Sequence, residues 1–384
     1  MIKRVIIAVL KLSGVVLLIA IATSIAIGWR AFGAAPSGSR LRRIQSSPEW
    51  RDGQFHNPQP LQNDLVGSLT GMFHASAHGS PETPLPAEKL DPQRLKVAPA
   101  SGLRVSWLGH ASTLIEIDGV RVLTDPMWSE RSSPVPFLGP KRWYTPPIAL
   151  ADLPAIDAVV ISHDHYDHLD YATIAAMAHW KSKFIVPLGI GAHLAYWGVP
   201  ESQIVELDWW QQTQLEGIVI HCTPARHASG RTVFDKDHTL WAGYALIGPK
   251  HRVFFSGDTG LFPAMREIGE RFGPFDLTLI ETGQYHRAWP DWHIGPEQAV
   301  IAHGMLRGRV LLPIHWGLLQ LAYHGWTEPV ERTLAAARKA NVQVATPRPG
   351  ESFEPDLQVP VERWWPAVPW QTADQAPVQS THVM

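Results

Sequence analysis

The chain has few of the groups that hold small secreted domains together or bind nucleic acids. A single cysteine, Cys222, in 384 residues excludes an intramolecular disulfide and a metal site built from several thiolates. Charged residues make up only 18 % of the chain, and 33 basic against 35 acidic side chains give a formal charge of −2. Nucleic-acid binders usually carry a basic excess, so we expect no nucleic-acid partner.

Charge is also missing from one long stretch near the amino terminus. After Lys11, residues 12–28 carry no charge, a length that is short for a membrane span and long for a signal peptide. Basic residues on both sides leave its orientation open, and Gly33, Ala34 and Ala35 would suit a cleavage site. We expect residues 1–30 to be a retained anchor, at a bacterial inner membrane facing the periplasm. The alternative is a cleaved signal segment and a periplasmic protein.

The distribution of proline divides the rest of the chain. Residues 31–100 are rich in proline, which fixes φ and removes a hydrogen-bond donor, so we expect a linker that partly wraps the domain surface. From about residue 101 to 354, short apolar runs alternate with helical patterns, which favours two sheets covered by helices in one α/β domain. Residues 355–384 are expected to form a C-terminal tail.

Individual elements follow from periodicity and turn residues. Asp118-Gly119 predicts a tight hairpin between strands 113–117 and 120–124, and Pro296 and Pro329 suit first helical turns. The other predicted strands are 104–108, 157–162, 184–186, 203–207, 218–223, 241–247, 252–256, 277–281, 310–314 and 342–345. The predicted helices are 171–181, 262–270, 296–305 and 328–340.

Histidine is abundant, and three of the 19 lie in one short motif. The motif lies between a predicted buried strand and a predicted helix and contains His163, His165, Asp167 and His168. So many polar side chains in so few residues are better explained by cation binding than by packing. Imidazoles and carboxylates without thiolate favour Zn²⁺, with iron or manganese as alternatives. A solvated histidine-rich loop is the other interpretation.

Three further candidate ligands end predicted strands in the same way. His227 follows strand 218–223, Asp258 follows strand 252–256, and His315 follows strand 310–314. Functional groups gather at the carboxyl ends of strands, so we expect these ends to meet at one edge. His110 and Asp125 also follow strands and would orient ligand imidazoles. Cys222 is expected to be buried and not to bind metal.

These motifs resemble those of the metallo-β-lactamase fold superfamily. Within it, the chain is similar to the N-acyl-phosphatidylethanolamine-hydrolysing phospholipase D family from about residue 49 to residue 353. The strings that carry the closer resemblance are Trp-Leu-Gly-His at 107–110, Thr-Asp-Pro at 124–126, His-Asp-His-Tyr-Asp-His-Leu-Asp at 163–170, Gly-Asp-Thr-Gly at 257–260 and Ile-His-Trp-Gly at 314–317.

The resemblance implies an αββα sandwich with two zinc ions per chain. One ion would take the first of two ligand sets and the other ion the second, with Asp258 bridging them. The first set is His163, His165 and His227, and the second is Asp167, His168 and His315. Asp258 and His293 would have catalytic roles, and Tyr166 and His293 resemble positions that contact substrate.

The implied reaction converts N-acyl-phosphatidylethanolamine-like lipids to N-acylethanolamine and phosphatidic acid. Trp289 and Trp292 would line a lipid entrance, and Phe137 and Leu138 would dip into a bilayer. The alternative is a zinc hydrolase of a soluble ester, lactone or amide on the same fold. A third interpretation, a metal-binding or interaction protein without catalytic activity, is disfavoured by the complete ligand set. A homodimer is possible.

Overall fold

The computed structural model describes residues 2–383, which form eight α-helices, four short 3₁₀ helices and sixteen strands. Helices α1–α8 are Ile2–Gly28, Gly38–Gln45, Leu65–Gly71, Tyr171–Met177, Gly191–Tyr196, Ala264–Phe272, Pro296–Met305 and Glu328–Ala340. Strands β1–β16 are Trp50–Arg51, Gln54–Phe55, Leu103–Gly109, Ser112–Ile117, Val120–Thr124, Ala158–Val160, Lys183–Pro187, Ile204–Leu207, Gln212–Leu215, Ile218–Thr223, Gly243–Ile247, Arg252–Phe255, Phe275–Glu281, Gly308–Ile314, Gln343–Val344 and Ser352–Phe353.

Two seven-stranded mixed sheets form the centre of the fold. The first has the strand order β16-β3-β4-β5-β6-β7-β8, and the second has the order β15-β14-β13-β12-β11-β10-β9. Strands β5 to β8 are parallel in the first sheet, as are β12 to β15 in the second. The strands on the other side of each sheet pair antiparallel.

Apolar side chains fill three layers around these sheets. Trp107, Ile115, Ile220 and Leu312 belong to the core between the two sheets. A second core packs α4 and α5 against the outer face of the first sheet, and a third packs α6 to α8 against the second. This arrangement is the predicted αββα sandwich, which is confirmed.

Most of the predicted elements form where the sequence places them. Strand β10 and helices α7 and α8 have the predicted bounds. At the hairpin between β4 and β5, Asp118 and Gly119 have φ values of 49° and 92°, as a type I′ turn requires. The predicted helix 171–181 was too long, because α4 ends at Met177.

Helix α1 projects from the domain. Its segment Val9–Gly28 has a mean hydropathy of 2.2 and is largely exposed, with only Gly28 at its end buried, so by length and composition it could cross a membrane. Both interpretations of it, a retained anchor and a signal segment, stay predictions.

The carboxyl ends of several strands lie along one edge of the sandwich. In the first sheet, β3 runs parallel to β5 and β6, because β4 is antiparallel to both of its neighbours. In the second, β10 is parallel to β12 to β14 for the same reason. The polar residues that follow these strands therefore meet at this edge.

Candidate metal centre

The loop after β6 brings two histidines of the motif to one point. His163 Nε2 lies 2.9 Å from His165 Nδ1, and His227 Nε2, from the loop after β10, lies 3.3 Å from the same His165 atom. His163 and His227 are completely buried, and His165 is partly exposed. These three nitrogens form the first donor group.

A second donor group lies beside the first. His168 Nε2 is 3.2 Å from His315 Nε2, which follows β14, and Asp167 Oδ2 is 3.2 Å from His168 and 3.4 Å from His315. His110 joins this group, with its Nε2 2.8 Å from Asp167 Oδ2. The predicted second ligand set is therefore assembled, with His110 as an addition.

Asp258, from the loop after β12, lies between the two groups. Its Oδ2 is 3.1 Å from His168 Nε2 and 3.0 Å from His315 Nε2. The same oxygen is 3.8 Å from the Nε2 atoms of His163 and His227. Its Oδ1 is buried and receives no hydrogen bond from any residue between 2 and 383.

Several imidazoles are held through the ring nitrogen that faces away from the centre. His168 Nδ1 is 2.7 Å from Asp125 Oδ2, and His227 Nδ1 is 2.7 Å from the carbonyl oxygen of Trp292. Ser162 Oγ lies 2.9 Å from His163 Nδ1 and donates to Asp125 at 2.6 Å. Such partners fix ring orientation and tautomer at metal sites.

Burial and charge divide the histidines into two kinds. Burial lowers the pKa of His163 and of His227 well below the ordinary value, which leaves their rings neutral. Burial acts in the same direction on His168 and His315, but the Asp258 carboxylate outweighs it. The pKa of His168 is raised well above its ordinary value, and that of His315 is raised to about 10. The carboxylates thus require positive charge here, which protons or cations can supply.

The donor groups fit divalent cations. Zinc bound tetrahedrally at about 2.0–2.1 Å holds neighbouring nitrogens roughly 3.4 Å apart, close to the 2.9–3.3 Å separations within the first group. Asp258 Oδ1 also offers lone pairs that no protein donor among residues 2–383 satisfies. The neutral rings of His163 and His227 can each present a nitrogen lone pair to a cation. Imidazole and carboxylate donors without thiolate suit Zn²⁺, iron and manganese.

His293 lies beside the centre with a partner that the sequence reasoning missed. Its Nδ1 is 2.9 Å from Oε2 of Glu281, the last residue of β13, and 3.7 Å from Asp258 Oδ2. Glu281 is fully buried and its Oε2 is also 3.4 Å from His315 Nδ1. Burial lowers the pKa of His293 to about 4, while burial and then the Asp258 charge raise the pKa of Glu281. The strand-end position of Glu281 was the available signal.

Tyr166 lies at the rim of the centre and is tied to Arg231. Its hydroxyl donates to the Arg231 carbonyl oxygen at 2.6 Å, and the guanidinium lies 4.2 Å from the centre of its ring. Burial raises the pKa of the phenol to about 12. The structure thus places Tyr166 next to the donor groups, and its contact with substrate stays a prediction.

The segment before β3 also reaches the centre, which no sequence motif indicated. Asn57 Oδ1 accepts from the backbone N–H of His227 at 3.0 Å, and its Nδ2 donates to the His227 carbonyl oxygen at 2.6 Å. Trp292 packs edge-on against His227, while Trp289 packs against His286. Cys222 is buried in the core between the sheets and belongs to neither donor group.

Comparisons with known proteins agree with this geometry. A family model described as a beta-lactamase superfamily domain matches residues 120–316. An uncharacterized protein of Mycobacterium tuberculosis is 48 % identical over 348 residues, 87 % of this chain and 91 % of the relative. N-acyl-phosphatidylethanolamine-hydrolyzing phospholipase D 1 of Caenorhabditis elegans is 41 % identical over 229 residues, 56 % of this chain and 64 % of that enzyme.

A solved structure supports the same assignment. Igni18, a metallo hydrolase from the archaeon Ignicoccus hospitalis, superposes with a TM-score of 0.51 at 26 % identity, over 66 % of this chain and 98 % of Igni18. The matched range 120–316 includes all seven predicted ligands, so the fold and the site are covered together. The names of Igni18 and of the Caenorhabditis elegans enzyme both state hydrolysis. The chain itself belongs to the beta-lactamase superfamily.

Proposed function

We propose that this chain is a metal-dependent hydrolase, and more specifically a binuclear zinc phosphodiesterase of the phospholipase D type. It would hydrolyse N-acyl-phosphatidylethanolamine-like phospholipids to N-acylethanolamine and phosphatidic acid. The observation that carries the proposal is the position of Asp258, whose Oδ2 lies 3.0–3.8 Å from nitrogens of both donor groups. A single carboxylate shared by two cations suits a hydrolytic centre, and in phosphate-ester hydrolysis two cations would stabilise both the attacking and the leaving oxygen.

The donor groups would each hold one ion. His163, His165 and His227 would bind the first, and Asp167, His168 and His315 would bind the second, with Asp258 shared. Divalent ions bound there would neutralise phosphate charge and make water a stronger nucleophile near neutral pH. His110 holds Asp167 at 2.8 Å, so its role is to position that ligand.

His293, positioned by Glu281, would transfer the proton that the leaving group takes up. In the proposed reaction, a water oxygen bonds to phosphorus, the bond from phosphorus to the ethanolamine oxygen breaks, and a proton passes to that oxygen. His293 is held through Nδ1 by Glu281 at 2.9 Å, which leaves Nε2 to exchange the proton. Because Glu281 is fully buried at the end of β13, this contact fixes the orientation of the His293 ring.

The lipid substrate rests on two further observations. The similarity to the Caenorhabditis elegans enzyme, whose name states this substrate, covers 56 % of the chain. In addition, an exposed apolar helix of membrane-spanning length precedes the domain, and the partly exposed Trp292 lies directly before His293. Together they favour an anchored enzyme that takes its substrate from a bilayer.

A substrate panel tests the proposal. Full-length protein purified in detergent and loaded with zinc is assayed with N-acyl-phosphatidylethanolamine in mixed micelles, and with lactones, esters and a β-lactam. We expect turnover of the lipid phosphodiester, its loss in Asp258→Asn, and its retention in the control His179→Ala, which changes an exposed histidine outside the donor groups. Hydrolysis of a lactone, ester or amide with no turnover of the lipid would contradict the phospholipase assignment.

Isotope labelling tests the position of attack. In ¹⁸O-water, attack at phosphorus places the label in phosphatidic acid. Label in the hydroxyl of the N-acylethanolamine would show cleavage on the other side of the ester oxygen and reject the proposed step.

A further inference from the structure

Two apolar side chains stand in solvent at the tip of a short loop beside the candidate centre. Val233 and Phe234 are 86 % and 88 % exposed. The loop is held in shape by Asp235, whose Oδ1 accepts from the backbone N–H groups of Arg231 and Thr232 at 3.1 and 2.7 Å. Two large apolar side chains exposed next to each other on a fixed loop form a contiguous patch, and such patches mark surfaces that contact a protein or a membrane.

The base of this loop is bound both to the centre and to the segment that follows α1. Arg231 is buried, and its Nε donates to the carbonyl oxygen of Ala31 at 2.7 Å. Its Nη1 donates to the carbonyl oxygens of Asp164 and Leu169, within the ligand motif and just after it. The base of the loop therefore connects the segment after the apolar helix with the rim residue Tyr166, which also packs on Arg231.

The end of α1 is itself seated on the domain. Trp197 Nε1 donates to the Arg30 carbonyl oxygen at 2.7 Å, and a Cβ atom on Gly28 would lie 2.9 Å from the Pro134 carbonyl oxygen. Trp29 packs edge-on against Tyr196 with ring centres 6.0 Å apart, and both rings are substantially exposed. Exposed Trp and Tyr at the end of an apolar helix mark the depth of a membrane interface.

We propose that the Val233–Phe234 tip inserts into the same bilayer that holds α1, so that the mouth of the centre faces lipid. Phe137 and Leu138, 49 % and 59 % exposed in the loop that packs against Gly28, would enter the same leaflet. The exposed Arg30 and Lys236 would then lie at the height of lipid phosphates. This inference concerns where the domain docks and does not require phospholipase activity.

Depth-dependent quenching tests the docking directly. The native Cys222 is buried, so a thiol-reactive environment-sensitive fluorophore reports on Phe234→Cys in the full-length chain, and wild type treated with the same reagent gives the background. Leu357→Cys is the matched control, because Leu357 is an apolar residue that is 66 % exposed in the C-terminal segment. Both variants are reconstituted in phosphatidylcholine vesicles with and without lipids that carry a nitroxide on the acyl chain.

We expect strong quenching and a blue shift at position 234 and neither at position 357. A fluorophore at 234 that stays in water would overturn the proposal. So would a blue shift without quenching by the labelled lipids, since a second copy of the chain would then be the partner that covers the tip.

A substitution separates docking from chemistry. Phe234→Asp removes the apolar tip without touching a donor group. If the proposed function holds, turnover of vesicle-embedded lipid should fall roughly ten-fold, in line with the loss of one buried aromatic side chain, while turnover of a soluble phosphodiester stays unchanged. Equal losses on both substrates would reject the docking role, and an inactive wild type would reject the proposed function but leave the quenching result standing.

Discussion

At the scale of single residues, the candidate centre depends on one carboxylate more than on any histidine. Asp258 Oδ2 lies 3.0–3.1 Å from nitrogens of the second donor group and 3.8 Å from nitrogens of the first. Each histidine, in contrast, belongs chiefly to one group. Loss of the Asp258 charge should therefore weaken cation binding by both donor groups.

We predict that Asp258→Asn binds fewer than two metal ions per chain. An amide oxygen keeps the shape of the carboxylate but removes the charge that two cations would share. Elemental analysis of zinc-reconstituted protein measures the stoichiometry, with His179→Ala as the control that should keep two ions. Two ions in the Asp258→Asn variant, bound as tightly as in wild type, would contradict the bridging role.

His293 should behave differently from the donor residues. We predict that His293→Gln keeps its metal content while kcat falls, with the ~10²–10⁴-fold effect of a positioned acid or base as the upper range. The reason is that His293 Nδ1 is engaged by Glu281 and lies 3.7 Å from Asp258. Steady-state kinetics and elemental analysis on the same preparation check it. Loss of metal in this variant would instead make His293 a ligand.

Some residues of the centre could be predicted from the sequence and others could not. Residues that end strands were accessible, because sheet geometry brings strand ends together, and His227, Asp258 and His315 do meet. Glu281 ends a predicted strand too but carries no motif. Asn57 binds the backbone of His227 across 170 positions of sequence, and no local pattern encodes such a contact.

At the scale of elements, two hairpin turns are joined by a histidine. His251, in the turn between β11 and β12, has its Nδ1 2.7 Å from Asp118 in the turn between β4 and β5. Its Nε2 is 3.2 Å from Asp356, beyond β16. Burial lowers the pKa of His251, but the hydrogen bond and charge of Asp118 outweigh it, and the pKa is raised above 6.5.

This link predicts a pH-dependent contribution to stability. Because the folded-state pKa of His251 is above the unfolded value, its ionic contribution is complete below about pH 6.5 and is lost as the pH rises through the folded-state pKa. His251→Ala should cost roughly 1.5–3 kcal/mol at pH 6 and less at pH 9. Urea unfolding of the full-length chain in detergent at several pH values measures the difference. A cost that grows with pH would show that His251 acts as a neutral group.

Helices and strands could be predicted where residues that favour a helix start or a turn lie at their ends. The first turns of α7 and α8 contain Pro296 and Pro329, and both helices have their predicted bounds. Helix α5 was missed because it is short and begins at Gly191 in a glycine-punctuated loop. The edge strands β9 and β16 were missed as well, since their few residues form strands only through pairing with neighbours.

At the scale of the whole molecule, distant parts of the chain meet at a buried ion pair. Arg226 is fully buried and lies 2.8 Å from Asp291. The guanidinium also donates to carbonyl oxygens of Pro60, in the segment before β3, and of Thr381, near the end of the chain. Three separate parts of the sequence are thereby fixed beside the metal-ligand candidate that follows Arg226.

We predict that Arg226→Met lowers the free energy of unfolding by about 3–5 kcal/mol, since it leaves the buried Asp291 carboxylate without its partner. The double variant Arg226→Met, Asp291→Asn should recover part of this loss, because the uncompensated charge is then gone. Urea unfolding monitored by circular dichroism measures both. Equal stability of the single and double variants would assign the loss to packing alone.

The C-terminal segment also completes a cluster of tryptophans in the core between the sheets. Trp316, after β14, packs on Trp107 of β3 and on Trp364, with ring centres 5.4 and 5.5 Å apart and planes inclined by 24° in each pair. The ring centres of Trp107 and Trp364 are 6.3 Å apart, so the three indoles touch one another. Indoles at this spacing couple their electronic transitions, so the three rings absorb as one chiral chromophore. The folded protein should therefore show an exciton couplet in its far-ultraviolet circular dichroism that is reduced in Trp364→Phe, because that variant keeps only the Trp107–Trp316 pair of the three. That signal would report, in ordinary solution spectra, whether the C-terminal segment is seated on Trp316, the residue that follows His315.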